Sequence, residues 1–370
     1  MWVIWMMGCV KTPVNRVTPE PTVEVEQEPV QEIEAVPTLV AANGQYDTIP
    51  LEKELVRLAV VQSDATSIKE GDVPADVIGQ NLEHMMEMGT SACKDEEKPD
   101  IILYHEFPLT GYISGERDEK LTKTISVPGR ETDRLAELAM SCDAYVVFGA
   151  YAHHPDWPKH ILSLTTVINR QGEVVDSIWK PRNIKRFYKD FEITTTTVEA
   201  VQDAFREEYG LAAELPVLKT EFGNLAFSTV QLDPLIFAAY AMQGAEIMLR
   251  TATYFFEEDV VATSMYNNFY SAMSNIPGEA PYGGNSIVVD PNGNIMGQLS
   301  HTEEGVLQID IPIADFRKER RIPQYSVALT KSVFEQYQEE IPANHLDMPA
   351  EELPKDGRVM KALLDSVSRW

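Results

Sequence analysis

Basic residues are scarce in this sequence. Against 58 Asp and Glu stand 31 Lys and Arg, a formal net charge of −27 over 370 residues. Phosphate binding needs a concentrated basic face, so this balance argues against a nucleic-acid partner, and the acidity itself favours solubility. Cysteine is scarcer still: Cys9, Cys93 and Cys142 are too few and too scattered for a disulfide framework or a zinc cluster. The closely spaced His153, His154 and His160 do not form a recognisable ligand set, so neither a metal nor a cofactor is expected. After the first residues no stretch is long and apolar enough to span a bilayer.

What is present begins with a short apolar start, MWVIWMMG, running into Cys9. A small residue directly before a cysteine is the pattern cut by lipoprotein signal peptidase, so residues 1–9 read as a lipoprotein-like signal with Cys9 as the acylation site. Against it, no basic residue precedes the apolar run and the run is short, which points to a true start further upstream. Residues 10–50, with TPEPTVEVEQEPVQEIEAVP, are too charged and proline-rich to build a core and read as a disordered tether. The expectation is an exported, membrane-anchored lipoprotein, or a cytoplasmic protein if the start is not a signal.

Regular structure is expected from Leu55, where VRLAVVQ is a β-branched apolar run. A helix over about Ala75–Cys93 follows, then a strand at Ile101–Tyr104. Glu131–Ser141 reads as a helix and Tyr145–Ala150 as a strand. Leu162–Asn169 and Glu173–Trp179 form a hairpin around Arg170, Gln171 and Gly172. Val198–Tyr209 reads as one amphipathic helix, Asn224–Val230 as a strand, Leu235–Gln243 as a helix and Glu246–Arg250 as a strand. Strands interleaved with helices imply a layered α/β domain over residues 55–328. Residues 329–370 form an extension, with VMKALLDSVSRW as a short amphipathic helix carrying Met360, Leu363, Leu364 and Val367 on one side.

Four segments of this domain carry more than pattern. DIILYHEFPLTGY is a strand ending in Glu106, with Gly111 and Tyr112 just beyond. GEVVDSIWK is a hairpin strand ending in Lys180. FGNLAFSTVQLDPLIFAAYAMQGAEIMLR runs strand, Pro234 at a helix start, then Gly244, Ala245 and Glu246 opening the next strand. YGGNSIVVDPNGNIMG is a hairpin with an Asn-Gly turn. In this order and at these separations, they resemble the carbon–nitrogen hydrolase (nitrilase and aliphatic amidase) superfamily. That resemblance implies a four-layer αββα sandwich with a Glu, Lys and Cys site at the strand ends. In such a site the glutamate takes the cysteine proton, the thiolate attacks an amide or nitrile carbon, and the lysine steadies the developing negative charge. Carried onto this sequence, Glu106 is the base and Lys180 the oxyanion partner. Either Glu192 or Glu199 could be a supporting glutamate. A homodimer is also implied.

The nucleophile segment departs from the pattern. Six residues before Pro234, where the family has cysteine, stands Ser228; Val230 replaces an aspartate and Leu235 a glutamate. Thr263 replaces an arginine if Asn267 takes the family's asparagine position. Cys93 and Cys142 end helices and cannot substitute. Two readings follow. In the favoured one the domain is catalytically impaired and binds a small amide- or nitrile-like ligand, or a partner. In the other Ser228 is an alcohol nucleophile activated by Glu106, with Lys180 stabilising the oxyanion. The acidity of the nucleophile separates them: a free thiol has a pKa near ~8.5 and is partly ionised near neutral pH, whereas an alcohol is not.

Overall fold

The structure, a computed structural model, describes residues 39–94, 98–115, 117–183 and 195–337. Cys9, Glu192 and the tail helix around Met360 lie outside them. The first half of the domain runs β1 (Val56–Gln62), α1 (Pro74–Ala92), β2 (Ile101–Leu103), α2 (Arg117–Leu121) and β3 (Ile125–Ser126). It continues through α3 (Arg130–Cys142), β4 (Tyr145–His154), β5 (Trp157–Ile168) and β6 (Val174–Trp179). The second half begins with α4 (Gln202–Tyr209), β7 (Val217–Thr220), β8 (Gly223–Ser228), α5 (Pro234–Met242), β9 (Ile247–Thr251) and α6 (Glu257–Asn267). It ends with β10 (Tyr270–Ser274), β11 (Ile287–Val289), β12 (Ile295–Gln298), β13 (Gly305–Ile311), α7 (Ile313–Glu319) and α8 (Val327–Phe334).

These strands make two sheets. The seven-stranded sheet has the order β13-β1-β2-β4-β5-β6, with β3 paired to β4, and the six-stranded sheet the order β12-β11-β10-β9-β8-β7. Each contains a parallel centre, β1, β2 and β4 in one and β8, β9 and β10 in the other. Parallel neighbours need a crossover, and the helices between them supply it.

Side chains alternate across a strand, so each central strand serves two cores. Leu58 and Val60, Ile101 and Leu103, Leu225 and Phe227, and Ile247 and Leu249 meet in the core between the sheets. Their neighbours Ala59, Val61, Ile102 and Val146 turn outward onto Leu82 and Met85 of α1 and Leu135 and Leu138 of α3. On the far side Ala226 and Met248 pack under Phe237 and Tyr240 of α5. Val260 of α6 covers Met273, Ile287 and Val289. Helix, sheet, sheet, helix is therefore the layer order. The sheets are also tied by polar bonds: Ser274 Oγ donates to the Val61 carbonyl at 2.6 Å, and the Thr165 and Thr251 hydroxyls meet at 2.7 Å. Among the described residues no helix is long and apolar enough to cross a membrane.

Two expectations need revision. The stretch Val198–Tyr209 is not one helix, because Val201 adopts φ −133° and separates a short 3-10 turn from α4. Residues 39–50, read as the end of the tether, make specific bonds to the domain. The Tyr46 hydroxyl donates to Glu246 Oε1 at 2.8 Å, Asn224 Nδ2 donates to the Asp47 carbonyl at 2.9 Å, and Arg317 Nη1 donates to the Ile49 carbonyl at 2.7 Å. The cysteines, too few for a disulfide framework, make one bridge: Cys93, just past α1, is bonded to Cys142 at the end of α3.

Candidate functional site

Glu106, Lys180 and Ser228 each occupy the carboxyl end of a strand or follow one, β2, β6 and β8 respectively. In open α/β sheets that is the edge where ligands bind. The chain beyond β2 keeps close to β4: Gly149 N–H donates to the His105 carbonyl at 3.0 Å, and a Cβ at Gly149 would lie 2.3 Å from the Glu106 carbonyl oxygen. Glycine is what lets the glutamate segment lie against the sheet. Beyond it Gly111 takes φ +53°, where a Cβ would meet the Ser67 backbone at 2.6 Å, and the Tyr112 N–H donates to Ser67 Oγ at 3.0 Å. The strand-Glu-turn-Gly-Tyr pattern thus delivers both the carboxylate and an aromatic ring to this edge.

The structure brings Glu106 and Lys180 together. Lys180 Nζ donates to Glu106 Oε1 at 3.1 Å, and both side chains are nearly buried. Ser163 Oγ donates to the same oxygen at 3.3 Å, and Thr253 Oγ1 donates to Oε2 at 3.0 Å. Charge-assisted hydrogen bonds of this kind hold an ionised carboxylate in one orientation. The Thr253 bond joins the two sheets at the site, since Thr253 lies just beyond β9. Burial pushes the Tyr112 phenol upward, and the neighbouring Glu106 charge adds to the effect. His105, beside Glu106, is wholly buried; burial pushes its imidazole down to about 3, and its Nδ1 accepts the Phe107 N–H at 3.3 Å.

Ser228 closes β8 with its Cα opposite Arg250 in the parallel ladder, and its Oγ accepts the Val230 N–H at 3.1 Å. The turn from β8 into α5 is pinned on several sides. Arg250, fully buried, donates through Nη2 to the Val230 carbonyl at 3.0 Å and to Asp259 at 2.5 Å, and its guanidinium lies 4.6 Å from the Phe237 ring centroid. Leu232 adopts φ +53°, unusual for a branched residue, and its N–H donates to the other Asp259 oxygen at 3.1 Å. Asp233 caps α5 by accepting the Ile236 N–H at 3.3 Å and is paired with Arg182 at 3.1 Å. Because Arg182 is two residues past Lys180, this ion pair links the lysine segment to the serine turn.

Of the remaining sequence candidates, Glu199 donates its N–H to the Pro181 carbonyl at 2.9 Å, which places it beside the lysine segment. Val230 is buried and Leu235 is exposed. Thr263 and Asn267 sit on α6, where Asn267 Nδ2 donates to the Thr263 carbonyl at 2.9 Å and the Tyr325 hydroxyl donates to Asn267 Oδ1 at 2.8 Å. Sequence reading missed Thr253, Arg250 and Asp259. No signal marked them, because a threonine past a strand, an arginine in one and an aspartate in a helix are ordinary there.

Two sheets between two helix layers, with parallel strand ends converging on one edge, are the architecture of the nitrilase superfamily. The carbon–nitrogen hydrolase family matches residues 57–321, and the chain belongs to it. Among solved structures it is similar to the amidase from Nesterenkonia sp. AN1 as a double mutant in complex with acrylamide. That match has 18% identity and a TM-score of 0.54, covering 78% of this chain and 100% of the amidase. A mutant of that amidase in complex with butyramide matches at 19% identity and TM-score 0.54, covering 75% of this chain and 96% of the other. Saccharomyces cerevisiae Nit3, a member of branch 10 of the nitrilase superfamily, matches at 17% identity and TM-score 0.56, covering 72% and 96%. At these identities the likeness is one of fold.

Proposed function

We propose that this domain keeps the ligand site of a carbon–nitrogen hydrolase but not its turnover, with Ser228 standing where the nucleophilic cysteine belongs and Glu106 and Lys180 as a ligand-binding ion pair. The observation that carries this reading is the local pairing of both groups. The Ser228 hydroxyl is engaged by the Val230 N–H, and the Glu106 carboxylate is held by Lys180, Ser163 and Thr253. An alcohol needs a base positioned on its own proton, whereas a thiol ionises more readily by itself. The Nesterenkonia amidase, described with a covalent adduct at its active site cysteine, supports a thiol as the group this fold uses. The ligand class is a small amide- or nitrile-like compound. The second reading keeps Ser228 as a working nucleophile with Glu106 as base and Lys180 as oxyanion partner. It draws on the same closeness of Glu106 and Lys180.

Attachment to a membrane through a lipid at Cys9 and export from the cytoplasm belong to the same proposal. The Cys93–Cys142 bridge supports export, since such bonds persist in oxidising compartments. Pairing of two copies is proposed from family likeness alone. The deciding experiment combines thermal-shift binding with ammonia release over a panel of acetamide, butyramide, acrylamide and benzamide. Binding without ammonia release is expected. A kcat in the ordinary range of ~1–10³ s⁻¹, abolished by Ser228→Ala, would establish the serine hydrolase instead, and absence of any binding would remove the ligand reading.

A further inference from the structure

Tyr254 immediately follows Thr253, whose hydroxyl holds Glu106. It is 57% exposed, whereas Thr253 before it is partly buried and Phe255 after it is buried. Its backbone takes φ +56°, a left-handed conformation that a bulky L-residue rarely adopts. Two buried amide side chains hold it there. Asn275 Oδ1 accepts the Tyr254 N–H at 3.1 Å, and Gln231 Nε2 donates to the Tyr254 carbonyl at 2.6 Å. Gln231 lies in the turn that follows Ser228, and Asn275 directly follows β10. Both shoulders of the site thus contribute to one unfavourable backbone setting.

The ring is the outer end of an aromatic series. Tyr254 lies near-parallel to Tyr112, with centroids 6.0 Å apart and 27° between planes, and Tyr112 meets Phe107 edge-on at 5.9 Å. Phe107 stacks on Tyr151 at 3.8 Å. Phe107 adjoins Glu106 in the chain, so the series passes from the core, beside the carboxylate, to solvent. A large aromatic held in a disfavoured conformation with more than half of it in water costs the free domain more than an ordinary exposed residue. Strain retained by its surroundings at a site edge is a sign of a functional constraint.

We propose that Tyr254 is a specificity-determining residue that selects ligands carrying a flat, π-bearing group next to the amide or nitrile held at Glu106 and Lys180. This deepens the ligand-binding reading and rests on it. A planar ring laid against Tyr254 continues the offset and edge-on packing already present between Tyr254, Tyr112 and Phe107. A short aliphatic chain offers little area to such a surface.

The test uses the full chain, with benzamide and butyramide as probes in isothermal titration. Wild type should bind benzamide about two- to tenfold more tightly than butyramide, the range one aromatic contact supplies. Tyr254→Ala should abolish that preference by lowering benzamide affinity towards that of butyramide, and Tyr254→Phe should keep it. Thermal unfolding of Tyr254→Ala should fall only slightly below wild type, by the loss of the packing of Tyr254 on Tyr112. Equal affinity for the two amides in wild type would overturn the role of Tyr254 while leaving the binding reading intact. A parallel loss of both affinities in Tyr254→Ala would do the same, marking the residue as structural. Failure of wild type to bind either amide would overturn the binding reading itself, and the proposal with it.

Discussion

Arg250 sets a single nitrogen between Asp259 of α6 and the carbonyl of Val230, two residues past Ser228. A helix of one layer is thereby fastened to the turn that leads into another. Removing one partner of a buried ion pair leaves an uncompensated charge, at a cost of about 3–5 kcal/mol. Arg250→Met is therefore expected to lower stability by that amount in chemical denaturation. Adding Asp259→Leu should recover most of the loss, because the orphaned carboxylate goes with it. Additive losses in the two single variants and the double would show that the pair is not coupled.

Restoring the thiol should not restore an enzyme. Ser228→Cys keeps Glu106 and Lys180 but leaves Val230 in the turn, Leu235 at the start of α5 and Thr263 on α6. Ammonia release from acrylamide or butyramide is expected to stay well below the ordinary ~1 s⁻¹ floor for kcat. A rate within the usual enzymatic range would mean that the serine alone silences the site.

His105 makes stability depend on pH. Burial holds its folded pKa at about 3 against an ordinary 6.5, so protons favour the unfolded chain. Its contribution is complete above pH 6.5 and is lost as pH falls from there towards 3, by up to about 1.4 kcal/mol per pH unit. His105→Gln should flatten the stability-versus-pH curve over that window, measured by urea titrations at several pH values. Equal slopes in variant and wild type would place the acid sensitivity elsewhere.

Much of the architecture was legible because parallel strands buried on both faces are written as short, mostly apolar runs, such as VRLAVVQ in β1 and IIL in β2. That Glu106 and Lys180 share one site was implied only by the family resemblance of their two segments, not by any local feature of either. Helix α6 was harder. Its buried face includes Thr263, Ser264 and Asn267, so no apolar stripe marks it. Arg250 reads as an ordinary charged residue at a strand end, and only the approach of Asp259 and Phe237 makes it a buried tie. Residues 39–50 have the composition of a linker, yet Tyr46 finds the buried carboxylate of Glu246, a partner 200 positions away. Partners that distant leave no local trace in the sequence.

The pairing of Cys93 with Cys142 was equally invisible, because it depends on α1 and α3 lying side by side. Loss of a native bridge of this kind typically costs about 2–4 kcal/mol. Cys142→Ser is expected to show that loss in guanidinium denaturation without reductant, and dithiothreitol should bring wild type down to the same value. No difference between oxidised and reduced wild type would indicate that the bridge adds nothing to stability.

That bridge also changes the connectivity of the molecule. Residues 93–142, Glu106 included, form a covalently closed ring within the chain. A single backbone cut inside it would yield two polypeptides that still travel as one species on a denaturing gel, separating only when a reductant opens the ring.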